Sequence, residues 1–261
     1  MMNTNELSLE VAKRLTEIVN DAWADGSMLE EVTPTTKELL KWWFSEEQCS
    51  IRKRNFHEGQ RQAILNIIYL HEVAKINTVT DTYDFVGEDL ITRADLATLA
   101  KAKYQIPKYA VKMATGTGKT WVMHAMLLWQ MLNARHEDEP SGRFTKNFLI
   151  VAPGLIVYDR LLDAFCGRIK RGTEYRDFDT NDFVLNQDVF IPVHIRQEVF
   201  SFIQNNVVTK EEGIGRKATG DGMIALTNWH LFENQLADDD QQEDGEVTVP
   251  QIIEQLLPIR P

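Results

Sequence analysis

Tyr109-Ala110-Val111-Lys112-Met113-Ala114-Thr115-Gly116-Thr117-Gly118-Lys119-Thr120 is the stretch on which the fold turns. Its first five residues read as a short strand, and a glycine-rich turn follows. From Trp121 to Leu132 the chain is apolar almost all round, interrupted only by His124 and Gln130, as suits a helix packed against a sheet. A strand, a glycine-rich turn and a helix in that order form a cradle for a multiply charged anion. Glycines at 116 and 118 open backbone conformations closed to residues with a Cβ, so the N–H groups of Thr115, Gly116, Thr117 and Gly118 can converge. The helix beginning near Gly118 adds its positive end. Lys119 then supplies a point charge for the β- and γ-phosphates of a nucleotide, and the Thr120 hydroxyl a ligand for Mg²⁺. The general phosphate-loop pattern opens with glycine, whereas Met113 holds that place here.

On either side of this turn the hydrophobic pattern differs. Upstream it is helical. Leu7, Val11, Leu15, Ile18, Val19 and Ala22 recur at helical spacing over 6–24, and Asp25-Gly26 reads as a turn. Thr33-Pro34 reads as an N-cap followed by proline at the first helical position, opening a helix through Leu39, Leu40, Trp43 and Phe44. The cluster Trp42, Trp43 and Phe44 reads as packing surface. Further helices are expected from Phe56 to Lys75 and from Arg93 to Tyr104. Downstream, Phe148 to Ala152 is a continuous apolar run, as in a parallel strand covered on both faces. Val189 to Ile195 and Met223 to Thr227 are the other strand candidates, the latter after the turn Gly220-Asp221-Gly222. Residues 168–187 and 237–247 read as loops. Strands alternating with helices place the chain in the α/β class.

Composition narrows the class further. The chain has 261 residues, 43% hydrophobic and 26% charged, enough for one large domain or for one domain plus an accessory segment. No stretch is long and apolar enough for a membrane span, and MMNTNELSLE has neither a basic nor an apolar signal region. Cys49 and Cys166 lie outside any C-x-x-C pattern, which argues for a reducing, cytoplasmic setting. The net charge of −11 counts against bulk electrostatic attraction to nucleic acid. Part of it sits in the run from Asp238 to Asp244, which reads as a solvated loop.

With these residues in hand a resemblance emerges. Lys112 to Thr120 resembles motif I of superfamily 2 DEAD/DEAH-type helicases, most closely the Res subunit of type III restriction enzymes. Phe56-His57-Glu58-Gly59-Gln60-Arg61-Gln62-Ala63-Ile64 is similar to that family's Q-x-x-A-I adenine motif. The resemblance makes Gln60 the adenine-reading amide, with His57 standing where the family often has arginine. Val151-Ala152-Pro153-Gly154-Leu155 resembles motif Ia, and Ala225-Leu226-Thr227-Asn228-Trp229-His230 resembles the family's T-N-x-H stretch. Pro153, Gly154, Thr227 and Asn228 would then meet a nucleic-acid backbone. The implied cofactors are ATP and Mg²⁺. The implied partners are DNA, with RNA open as the alternative, and a modification methyltransferase subunit. The likeness spans roughly 55 to 230.

The resemblance also implies a fold: an incomplete RecA-like α/β domain with a parallel sheet over 51–261, preceded by an N-terminal helical segment over 1–50. Such a motor needs an aspartate–glutamate pair at a strand end to hold Mg²⁺ and polarise water. No D-E-x-H follows an apolar run here, and Asp138-Glu139-Pro140 falls in a polar stretch. The catalytic residues are therefore left unassigned. The expectation is an N-terminal piece of an ATP-dependent helicase or translocase, ending before its acidic motif and inactive as a hydrolase alone. The alternative is a complete, non-motor nucleotide-binding regulator.

Overall fold

The computed structural model describes residues 4–91, 94, 96–102, 105–137, 142–209 and 221–229. The chain divides into two units, Met1–Met126 and Leu127–Pro261.

The first unit is helical. It contains α1 (Thr4–Ala24), α2 (Met28–Glu31), α3 (Pro34–Phe44), α4 (Glu46–Ile51), α5 (Glu58–Ile68), α6 (Val79–Val86), α7 (Glu88–Ile91), α8 (Leu96–Leu99) and the start of α9 (Lys119–His136). The stripe of α1 buries Leu7, Leu15, Val19 and Ala22, and the chain turns at Gly26 with φ +84°. α3 begins as its sequence dictates: the Thr33 hydroxyl accepts from Thr36 N at 3.1 Å, with Pro34 next in the first helical turn. Its apolar face, Leu39, Leu40 and Trp43, is fully buried, as are Ile64, Leu65 and Ile68 of α5.

The helix expected over 56–75 is one α-helix continued by a π turn, Tyr69–Val73, closed by Lys75 at φ 52°. The wider turn carries Glu72, 6% exposed, to the start of α3, where it accepts from Thr33 N at 2.8 Å and Thr36 Oγ1 at 2.5 Å. A carboxylate against the first N–H groups of a helix is the favourable pole for both partners. Trp43, Phe44 and Phe56 meet edge to face, with Trp121 of α9 on Phe56 at 5.7 Å. The aromatic cluster is packing surface, as expected. Of the helix expected over 93–104, the described residues retain only α8.

The second unit is built on a parallel sheet. In chain order it holds β1 (Asn147–Ala152), α10 (Leu155–Cys166), β2 (Arg168–Ile169), β3 (Arg176–Asp177), α11 (Asp182–Leu185), α12 (Gln187–Phe190), α13 (Arg196–Asn206), β4 (Val207–Thr209) and β5 (Met223–Asn228). The three-stranded sheet runs β1-β5-β4, both pairings parallel. β5 is buried along its whole length, as a central strand must be, and α10 and α13 lie against it. A helical N-terminal segment followed by a small parallel sheet with helices is an α/β architecture compatible with an incomplete RecA-like domain.

Two expected strands are absent. Among the described residues Tyr109 to Met113 pairs with no strand, and the segment has no regular structure. Ala110, Val111 and Lys112 are exposed there, and an extended segment becomes a strand only when a neighbour takes its N–H and C=O groups. Val189 to Ile195 is instead the end of α12, then Pro192 and a 3₁₀ turn at Val193–Ile195. Val189, Phe190 and Ile191 are buried as a strand would bury them. Short apolar runs do not reveal their period, and Pro192 removes a ladder donor. The 168–187 loop contains the β2–β3 ribbon and α11. His230, Asp138 to Pro140, and 237–247 lie outside the described residues.

Candidate nucleotide-binding site

The glycine-rich turn lies within the first unit and enters α9 at Lys119. Gly116 and Gly118 have φ of +83° and +72°, the left-handed region that favours glycine. The space beside Gly116 is open, but a Cβ at Gly118 would run into Gln60 Nε2. The turn is closed by the Thr117 hydroxyl, which donates to Ala114 O at 2.7 Å. Lys119 is exposed and donates from Nζ to the same oxygen at 2.8 Å. Thr115 is also exposed, and Thr120 is partly buried.

Two residues of the upstream motif hold this turn from beneath. Gln60 is 4% exposed, and its Nε2 donates to Gly118 O at 3.1 Å and Thr117 O at 3.3 Å. Its Oε1 accepts from His57 N at 3.0 Å, which is half of a capping box at the start of α5. The other half is His57 Nδ1 accepting from Gln60 N at 3.3 Å. That acceptor role puts the ring proton on Nε2, which donates to Thr117 O at 2.7 Å. The sequence singled out Gln60 for adenine, but its amide rests against the phosphate turn. His57, noted only for replacing arginine, is the second prop. The signal was present: a polar residue three places before Gln60 at a helix start is an N-cap pattern.

The remaining candidates lie in the second unit. Exposed Pro153 and partly buried Gly154 form the turn between β1 and α10, whose first residues Leu155, Ile156 and Val157 are exposed. The register pairs Val151 with Thr227 and Ala152 with Asn228, so all four candidates gather at one end of the β1–β5 pair. Thr227 and Asn228 are buried at 0% and 3%, and the Thr227 hydroxyl has no hydrogen-bond partner among the described residues. Among the described residues no three His, Cys, Asp or Glu side chains group to hold a metal, and no helix is long and apolar enough to cross a membrane.

The cradle fits a phosphate chain: left-handed glycines, a helix N-terminus and an exposed lysine one residue into that helix. On an α/β chain this is the arrangement of a P-loop. The family model for the type III restriction enzyme res subunit matches residues 53–246, and the chain belongs to that superfamily 2 helicase family. Comparison with curated proteins and with solved structures gave no match.

Proposed function

We propose that the chain supplies the ATP-binding part of an ATP-dependent DNA helicase or translocase of the type III restriction kind, working in the cytoplasm beside a modification methyltransferase subunit. In this reading residues 1–50 are an accessory helical segment and 51–261 the partial motor. The turn from Thr115 to Thr120 takes the β- and γ-phosphates, Lys119 leaving Ala114 O to meet them. Thr120 would ligate Mg²⁺, and Gln60 would set the edge of the adenine pocket. Pro153, Gly154, Thr227 and Asn228 would border the strand groove, with RNA as the alternative track. Cys49 and Cys166 form no disulfide, which accords with a reducing compartment.

The observation that carries the reading is the Gly116-Thr117-Gly118 turn, with both glycines left-handed, leading straight into α9. Its test is titration of the chain with a fluorescent ATP analogue and Mg²⁺. Lys119→Ala removes an exposed ammonium and leaves the core untouched. It should cost about 1.5–3 kcal/mol of binding, roughly ten- to a hundredfold in Kd. Equal affinity in wild type and variant would remove the nucleotide assignment.

A further inference from the structure

After α10 the chain doubles back as an antiparallel ribbon, β2–β3, pairing Arg168 with Asp177 and Ile169 with Arg176. Its base is fixed to the body of the second unit. Gly167 caps α10 at φ +85°, and a Cβ there would collide with the Asp177 carbonyl, so helix end and ribbon sit in direct contact. Arg176 Nη1 donates to Asp163 Oδ1 and to Gly167 O, each at 2.7 Å. Arg176 and Glu174 line a groove with Leu162, Phe165 and Val207, so that side of the ribbon faces the body.

The opposite side and the tip face solvent. Lys170 N donates to Tyr175 O at 2.9 Å, which continues the register and sets Lys170 opposite Tyr175 on one face. Lys170 O accepts from Thr173 N at 3.0 Å, and Gly172 at φ +80° completes a tight turn that projects Arg171. Arg168, Lys170 and Arg171 are all exposed, and the Tyr175 ring is 81% exposed. Arg168 is partly spent on Asp182, whose carboxyl is pushed up by burial and drawn back by that guanidinium. Lys170 and Arg171 have no such partner among the described ion pairs. Over 168–177 four basic residues, Arg168, Lys170, Arg171 and Arg176, stand against two acidic ones, Glu174 and Asp177, a local positive excess beside a bare aromatic ring on a chain of net charge −11.

We propose that this ribbon is a single-strand nucleic-acid contact, in which Lys170 and Arg171 meet successive phosphates and Tyr175 stacks on a base. The proposal rests on the reading above that the chain works on a polynucleotide. Every base offers a π-face and every linkage a phosphate, so a ring flanked by cations on a rigid ribbon grips a strand without reading its sequence. A purely acidic peptide would use the cations and leave the ring idle.

The test is fluorescence anisotropy of the whole chain with labelled oligo(dT) and oligo(U) over a salt series. Wild type should bind with affinity falling linearly in log salt. Lys170→Gln with Arg171→Gln should lower that slope by about 1.4, about 0.7 for each phosphate. Tyr175→Ala should weaken binding about tenfold at every salt, and Tyr175→Trp should restore it. Each side chain is exposed, so thermal melting should not move. Tighter binding of either oligonucleotide identifies the track. No binding by wild type would overturn both the proposal and the polynucleotide reading. Wild-type binding that all variants share would overturn the ribbon alone. An equal loss in binding polyglutamate would identify an acidic-peptide surface and overturn it too.

Discussion

At the scale of single residues, Gly118 and Gln60 bear on one another. Gly116 and Gly118 both need the left-handed region, and forcing an L-residue there costs about 1–2 kcal/mol. Gly118 carries a second demand, because its missing Cβ leaves room for the Gln60 amide, whereas Gly116 has open space. Gly118→Ala should therefore weaken ATP-analogue binding more than Gly116→Ala. In the Gly118→Ala, Gln60→Ala double variant the two losses should be sub-additive, since the part of the Gly118→Ala loss beyond the backbone cost passes through the Gln60 amide. Analogue titration of the four proteins checks this, and strictly additive losses would separate Gln60 from the turn. The phosphate turn was legible because its chemistry lies within a few contiguous residues. The props His57 and Gln60 were legible as a motif but not in their geometry, because hydrogen bonds to Thr117 and Gly118 span about sixty residues that no local pattern encodes.

Elements show the same division. The start of α3 could be read from Thr33-Pro34 alone, but its completion by Glu72 could not, since that carboxylate arrives on a π turn within a helix that reads as continuous. Glu72→Ala removes a buried carboxylate that accepts from both Thr33 N and Thr36 Oγ1. Hydrogen bonds to a charged group are worth about 1.5–3 kcal/mol, so the variant should lose stability on that order. Glu72→Gln, which keeps one acceptor, should lose less. Chemical denaturation monitored by helix signal measures both, and a harmless Glu72→Ala would deny the carboxylate its capping role. Strands were legible when their pattern was unambiguous, as in Phe148 to Ala152 and Met223 to Thr227. Val189 to Ile195 failed because burial does not distinguish a short strand from a short helix. Tyr109 to Met113 failed because a strand requires partners, which composition does not supply.

For the whole molecule, one buried base sets an acid limit on stability. His124 lies on α9 in the first unit with no exposure, and burial pushes its ring down to about 3 from an ordinary 6.5. The folded chain therefore keeps the imidazole neutral across a range where the unfolded chain protonates it. Between pH 6.5 and about 3 the unfolded state binds more protons, so stability rises with pH in that window. The contribution is complete above 6.5 and is lost steadily as pH falls toward 3. Asp25 and Asp81 act in the same direction at lower pH. Hydrogen bonds from Ser27 hold the first below its ordinary 3.8. Burial pushes the second up but is outweighed by hydrogen bonds from Asn77 and Thr78. Asp182, raised by burial, acts oppositely. The histidine window is thus the only one of these that opens well above the carboxylate range. The denaturation midpoint of the wild-type chain should fall between pH 7.5 and pH 5, before carboxylates contribute much. In His124→Leu, which cannot titrate and is of similar bulk, that fall should be largely absent, whatever the variant's stability at pH 7.5. A wild-type fall retained in full by His124→Leu would show that the proton is taken up elsewhere and that the imidazole is not the acid-sensitive group of this core.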